Sequence, residues 1–258
     1  MAMEPERKER LISKIQQCLS KKFKAYKPES EYMPFHYRLL GRDRMALFSF
    51  IQSLNTTFGV SIYEPVAIEL AADRFVEAKM QIKPNRYLSS EAQRVIDGIM
   101  SAITTAERDP NSINELEEIR SVCQLGEPCN VKLRNYDIYL KTANNVVFCM
   151  DIKTVKPNIG NFEDYKRMLL LWAAAEMYVD PTVEIHPLIG IPYNPYEPEP
   201  YNRWTMRGLF DLQHEILVAN EMWDFLGGEG AYSDLLDCFE IAGINMRPEL
   251  DAYFRRFQ

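Results

Sequence analysis

The sequence predicts a mixed α/β fold: a small mixed central sheet flanked by helices, with helical additions toward both ends. Three observations predict it. Asn135 to Asn158 reads as two short strands joined by a turn, and the second strand carries the apolar run Val146 to Met150, the kind a sheet buries on both faces. Pro5 to Ala25 and Phe162 to Tyr178 repeat apolar residues at helical spacing, with Leu11, Ile15, Cys18, Leu19 and Phe23 in the first and Tyr165, Met168, Leu169, Trp172 and Ala175 in the second. Thr182 to Ile191 alternates and ends in Gly-Ile-Pro, as a further strand would.

The chain has 258 residues, 47% hydrophobic and 26% charged, enough for a sizeable core. One compact domain is expected, with a helical region over 1–54, a core over 55–191 and a loop and helical region over 192–258. The longest apolar run, Met168 to Tyr178, is too short and interrupted to span a bilayer, and charges stand near the N-terminus where a signal peptide needs an apolar stretch. A cytoplasmic protein with no membrane partner is therefore expected. Five cysteines with no C-x-x-C pair imply neither a disulfide framework nor a zinc site, and three scattered histidines form no ligand cluster. The net charge of −7 weighs against a nucleic-acid partner. Its distribution matters more than its sum, because the acids gather at Glu115 to Glu118, Glu197 to Glu199 and Asp234 to Glu240, away from the lysines near the hairpin. A bound divalent cation would also reverse the local sign.

In chain order, Pro5 to Ala25 sets Arg7, Lys8, Arg10, Lys14 and Lys21 opposite its apolar stripe, a face that is either solvated or set against a phosphate backbone. Arg42 to Leu54 reads as a second helix, and Asn55 to Gly59 as a break. A third helix then opens near Ser61 and runs to Ala78. Ser61 with Glu64 three residues on forms a capping box, although Pro65 prefers the first helical position. Ser89 to Thr105 and Ile113 to Val122 follow two proline turns and read as scaffold helices, with Glu115, Glu117 and Glu118 on a solvated face. Pro192 to Trp204 holds four prolines and three tyrosines, a stiff loop that either straps the surface or lines a groove through Tyr193, Asn194 and Tyr196. An apolar element ends at Gly227-Gly228, Tyr232 to Ala242 forms a helix, and Arg247-Pro248 starts a last one.

The chemistry gathers on the hairpin. Asp137 lies on its first strand and Asp151 at the end of its second, and a pleated strand carries Lys153 on the same face as Asp151. Two carboxylates and a lysine so placed are what metal-assisted phosphodiester hydrolysis requires. Mg²⁺ takes carboxylate, phosphate and water oxygens, so Asp137 and Asp151 would hold the ion, and Lys153 would either stabilise charge on phosphorus or position the attacking water. Lys156, Asn158, Lys166 and Arg167 follow closely and are candidates for contacts to the DNA backbone. A D-x-K triplet also occurs by chance at solvated strand ends, and a hairpin of purely structural use in a helical interaction protein is the competing reading.

The arrangement resembles the PD-(D/E)XK nuclease signature, with Tyr136 where that pattern has proline. Four stretches, N-T-T-F-G-V-S-I-Y-E (Asn55 to Glu64), D-I-K-T-V-K-P-N (Asp151 to Asn158), K-R-x-L-L-x-W (Lys166 to Trp172) and E-I-L-V-A-N-E-M-W-D-F-L-G-G (Glu215 to Gly228), are similar to the TdeIII-like type II restriction endonucleases. The likeness runs from about Asn55 to Gly243. It implies a restriction-endonuclease-like core, Mg²⁺ dependence, a homodimer and cleavage of double-stranded DNA at a short palindrome of the GGNCC kind. It also implies that Glu64 is the early helix glutamate directed at the metal, an alternative to its capping role. Ala219-Asn220 departs from the resemblance, which would place Gly-Lys-like residues there. A PD-(D/E)XK nuclease of repair or structure-specific use is the other enzymatic reading.

Overall fold

The computed structural model describes residues 3–26, 33–153, 161–201, 206 and 208–255. Lys156 and Asn158 lie outside them. Helix α1 spans Pro5–Ala25, α2 Pro34–Leu40 and α3 Arg42–Phe58. The break expected at Asn55 to Gly59 is absent. Gly59 keeps helical torsions (φ −51°, ψ −73°), and a π-helical turn, Gly59–Tyr63, carries the chain directly into α4, Glu64–Ala71. Ser61 therefore lies inside that turn and caps nothing, while Glu64 opens α4. The helix expected to reach Ala78 stops at Ala71, and Glu77–Ile82 is strand β1, because its backbone pairs with a neighbouring strand and pairing overrides a weak local preference.

Strand β2 (Tyr87–Ser89) and β3 (Pro128–Asn130) form a small two-stranded sheet. Between them, α5 (Ser90–Thr104) and α6 (Ser112–Val122) are capped by the side chains of Ser89 and Asn111, which accept from the amides of Ala92 and Asn114. The hairpin follows as β4 (Tyr136–Lys141) and β5 (Val146–Ile152), then α7 (Phe162–Val179), β6 (Glu184–Ile191), β7 (Ile216–Val218), α8 (Asn220–Gly227) and α9 (Ala231–Phe254). Pro248 lies within α9 and starts no new helix. Proline forfeits one intrahelical bond there, yet Met246 before it and the partly buried Leu250, Tyr253 and Phe254 after it pack in one cluster.

The main sheet has the order β1-β4-β5-β6-β7, antiparallel from β1 to β5 and parallel from β5 to β7. Helices cover both faces. One face packs against α5, α6 and α7, a core that includes Ile96, Ile119, Leu169 and Trp172. The other packs against α1, α4, α8 and α9 through Leu11, Leu70, Trp223 and Leu235. Strand β5 serves both layers, with Val147 and Cys149 on the α7 side and Met150 on the α4 side. A smaller cluster of Phe23, Phe50 and Met246 joins α1, α3 and α9, with the two phenyl rings stacked at 4.4 Å. Among the described residues, no single helix is long and apolar enough to cross a membrane.

Candidate active site

Antiparallel pairing brings the two aspartates to one end of the sheet. The β4–β5 ladder ends at the Ile138–Met150 pair, and Asp137 and Asp151 are the next residues beyond it on their two strands. The amide of Ile152 donates to Asp137 Oδ2 at 2.8 Å. The amide of Lys153 donates to the Gly190 carbonyl at 2.9 Å, carrying the β5–β6 pairing past the end of β5. That bond fixes the backbone from which the Lys153 ammonium returns to within 2.5 Å of Asp151 Oδ2. The same ammonium lies 4.4 Å from the centre of the Tyr165 ring on α7. Glu64, only 1% exposed, enters from the first turn of α4.

Gln81 carries no motif and is visible only in the fold. Its amide nitrogen lies 3.0 Å from both oxygens of Glu64 and 3.1 Å from Asp137 Oδ1, so one neutral donor links two carboxylates. The backbone makes this reach possible. Gln81 has φ 55°, and the β1–β4 ladder, paired at Met80–Ile138 and Ile82–Tyr136, skips Gln81 opposite Asp137. The alternation of β4 breaks at the same place: Tyr136 packs with the α7 layer, whereas Ile138 and Leu140 pack with the α4 layer. The sequence reading ends a helix at Ala78 and assigns Gln81 to no element; only the strand Glu77–Ile82 brings Gln81 opposite Asp137.

Electrostatics mark this as a site short of positive charge. Burial, and then the charge of Asp151, push the Asp137 carboxyl up to about 7, against the hydrogen bond from Ile152 and the attraction of Lys153. Burial also raises Glu64; the Gln81 hydrogen bond opposes the rise and Asp151 adds to it. Asp151 Oδ2 is enclosed, and among the described residues its partner is the Lys153 ammonium at 2.5 Å. Three carboxylates, Glu64 and Asp151 buried and Asp137 half-buried, thus gather where Lys153 is the cation paired with one of them. An all-oxygen set of carboxylates with too little positive charge beside it suits a hard divalent cation. Among the described residues no three Asp, Glu, His or Cys side chains already stand in ligating geometry. The Gln81 amide occupies the gap between Glu64 and Asp137 instead.

The remaining candidates separate. Lys166 is not at a surface: it is fully buried, with its ammonium 2.5 Å from Glu115 Oε2 and 2.6 Å from Glu215 Oε1. Glu115, expected on a solvated face, is equally enclosed, because α6 turns it toward α7. Arg167 is partly exposed and ion-paired with Asp97 on α5. Tyr193 and Tyr196 are exposed on the loop after β6, which leaves the sheet at the same end as Asp151 and Lys153. Asn194 is engaged within that loop, donating to the Glu199 carbonyl at 2.7 Å and accepting from the Tyr196 amide at 3.0 Å.

Comparison with known proteins accords with this geometry. Type II restriction enzyme MjaII of Methanocaldococcus jannaschii is 28% identical over 196 residues, 72% of this chain and 51% of that enzyme, so the match spans about half of MjaII's length. HgiCII and HgiEI, type II restriction enzymes of Herpetosiphon aurantiacus, are 26% and 24% identical, over 88% and 86% of this chain and 83% and 81% of their own. The family model described as type II restriction endonuclease HinfI matches residues 3–243. The motifs had pointed to the TdeIII-like group, and the match to HinfI lies in the same class. By that match the chain belongs to the HinfI family of type II restriction endonucleases.

Proposed function

We propose that the protein hydrolyses phosphodiester bonds of double-stranded DNA at a fixed short sequence, with Mg²⁺ held by Asp137, Asp151 and Glu64. The observation that carries this reading is the meeting of Asp137, Asp151 and Lys153 at the end of one antiparallel pair, with Glu64 beside them and one ammonium among the three carboxylates. When bound, the ion supplies Lewis-acid stabilisation of the phosphate and a more acidic water. The protein groups do the rest. Asp151 and the Tyr165 ring hold the Lys153 ammonium in place, where it faces charge growing on a phosphate oxygen or orients the attacking water. The amide of Ile152 fixes Asp137 Oδ2, leaving Oδ1 turned toward Glu64 and Gln81. Tyr193 and Tyr196 lie on the loop that leaves this end of the sheet and serve as DNA contacts, with Arg167 of α7 a further one. Two copies of the chain act together in the cytoplasm on a palindrome of the GGNCC kind, because protein two-fold symmetry then matches that of the duplex.

Incubating the purified protein with phage DNA and Mg²⁺ and sequencing the fragment ends tests the reading. Discrete ends at one palindrome are expected; ends scattered over the sequence would remove the restriction assignment and leave a nuclease of another use. Lys153→Ala is expected to lower cleavage at least about 100-fold while duplex affinity, measured by gel shift in Ca²⁺, stays within a few-fold.

A further inference from the structure

We propose that Gln81 is a positioning residue of the ion site, standing in for the cation between Glu64 and Asp137 while the protein is ion-free. The inference rests on the divalent-cation reading above and goes beyond it. Two like charges this close in a buried site repel, and a buried carboxylate without a donor is costly. The Gln81 amide is the one side-chain donor that touches both carboxylates among the described residues. Its carbonyl oxygen contacts Asn135 Nδ2 at 3.5 Å, which turns the nitrogen rather than the oxygen toward the acids. The backbone is committed to the same end. Gln81 adopts a left-handed φ of 55° and gives up its ladder pairing opposite Asp137, a conformation that a non-glycine residue enters at a cost.

The amide therefore does two things. It keeps Glu64 and Asp137 together before the ion arrives, and it must release their oxygens when the ion takes them. An arriving cation competes with charge-assisted hydrogen bonds, so cation affinity in this chain is set below what the carboxylates alone would give.

The test measures Mn²⁺ binding without DNA, by calorimetry and by the loss of free-ion paramagnetic resonance signal, together with melting of the ion-free protein in EDTA. The proteins are wild type, Gln81→Leu, Gln81→Glu and Asp151→Asn. All three residues offered at position 81 share the same backbone cost, so the comparison isolates the side chain. In Gln81→Leu the ion-free protein is expected to melt lower and Mn²⁺ to bind about tenfold tighter, the equivalent of one charge-assisted hydrogen bond no longer displaced. Gln81→Glu, with a further carboxylate in the same place, is expected to melt lower still without ion and to recover most with Mn²⁺. Unchanged or weaker Mn²⁺ binding in Gln81→Leu, with wild type binding normally, would overturn the role of Gln81. Absence of Mn²⁺ binding in wild type, or binding undiminished in Asp151→Asn, would instead overturn the cation site itself.

Discussion

Ala219 turns the chain from β7 into α8 with φ 50° and ψ −117°, torsions open to glycine and crowded for any residue with a Cβ. It is held there from both sides. Its amide donates to the Ile191 carbonyl at 2.8 Å, and its own carbonyl accepts from the amides of Met222 and Trp223. The sequence had marked this position only as a departure from the glycine that the resemblance would place there; the torsions give that departure a physical meaning. Ala219→Gly should relieve the crowding at the expense of some unfolded-chain entropy and a buried methyl. A net gain of about 1 kcal/mol is expected in urea unfolding. A loss of stability would mean that methyl packing outweighs the torsional cost.

Lys166 links three elements that no stretch of sequence joins. It leaves α7 and meets Glu115 from α6 and Glu215 just before β7, all three almost wholly buried. Glu115 also receives the amide of Asn111, and Glu215 that of Asp211, so each carboxylate ties a helix entry or loop to the same ammonium. Replacing the lysine alone, as in Lys166→Met, leaves two uncompensated buried acids and should cost about 3–5 kcal/mol. Replacing all three by apolar residues should cost far less. Denaturant unfolding of the two variants decides the matter, and a single variant as stable as the triple one would deny the lysine its charge role. This triad also shows where reading the sequence stops. The hairpin acids and α7 were legible because strand alternation and helical spacing are local patterns. The burial of Glu115 and the position of Gln81 were not, since each depends on which element lies opposite. Glu115 looks like any exposed helix glutamate until α7 is packed against it, and Gln81 matters only once β1 is known to be a strand. Close packing at Gly190 was equally invisible: a Cβ there would come within 2.8 Å of the sulfurs of Met150 and Met222. Because methionine tips can shift, Gly190→Ala should cost about 1–2 kcal/mol in the same unfolding measurement, without abolishing folding.

The whole molecule carries an excess of acids, −7 at neutral pH, and several of them are buried, which fixes how its stability responds to pH. Burial pushes Glu215 up to about 7 despite Lys166, so the folded chain holds a proton there that the unfolded chain releases near the ordinary glutamate value of 4.5. Glu176, buried against Tyr136, is raised in the same direction. A group whose folded value is raised this way makes the native state bind more protons, so stability falls as pH climbs from about 4.5 to about 7. Asp211 and Asp234 work the other way. In spite of partial burial they are held low by hydrogen bonds, from His214 and backbone amides in one case and from Lys8 and Met3 in the other. Their contribution is present above the ordinary aspartate range and is lost only in stronger acid. The ion-free protein should therefore be most stable near pH 5 and weaker at pH 8. Urea unfolding in EDTA across this range measures the slope. Glu215→Gln, which keeps Lys166 paired with Glu115, should remove up to about 3 kcal/mol of the decline. A decline as steep in that variant as in wild type would place the proton uptake elsewhere than on the buried triad.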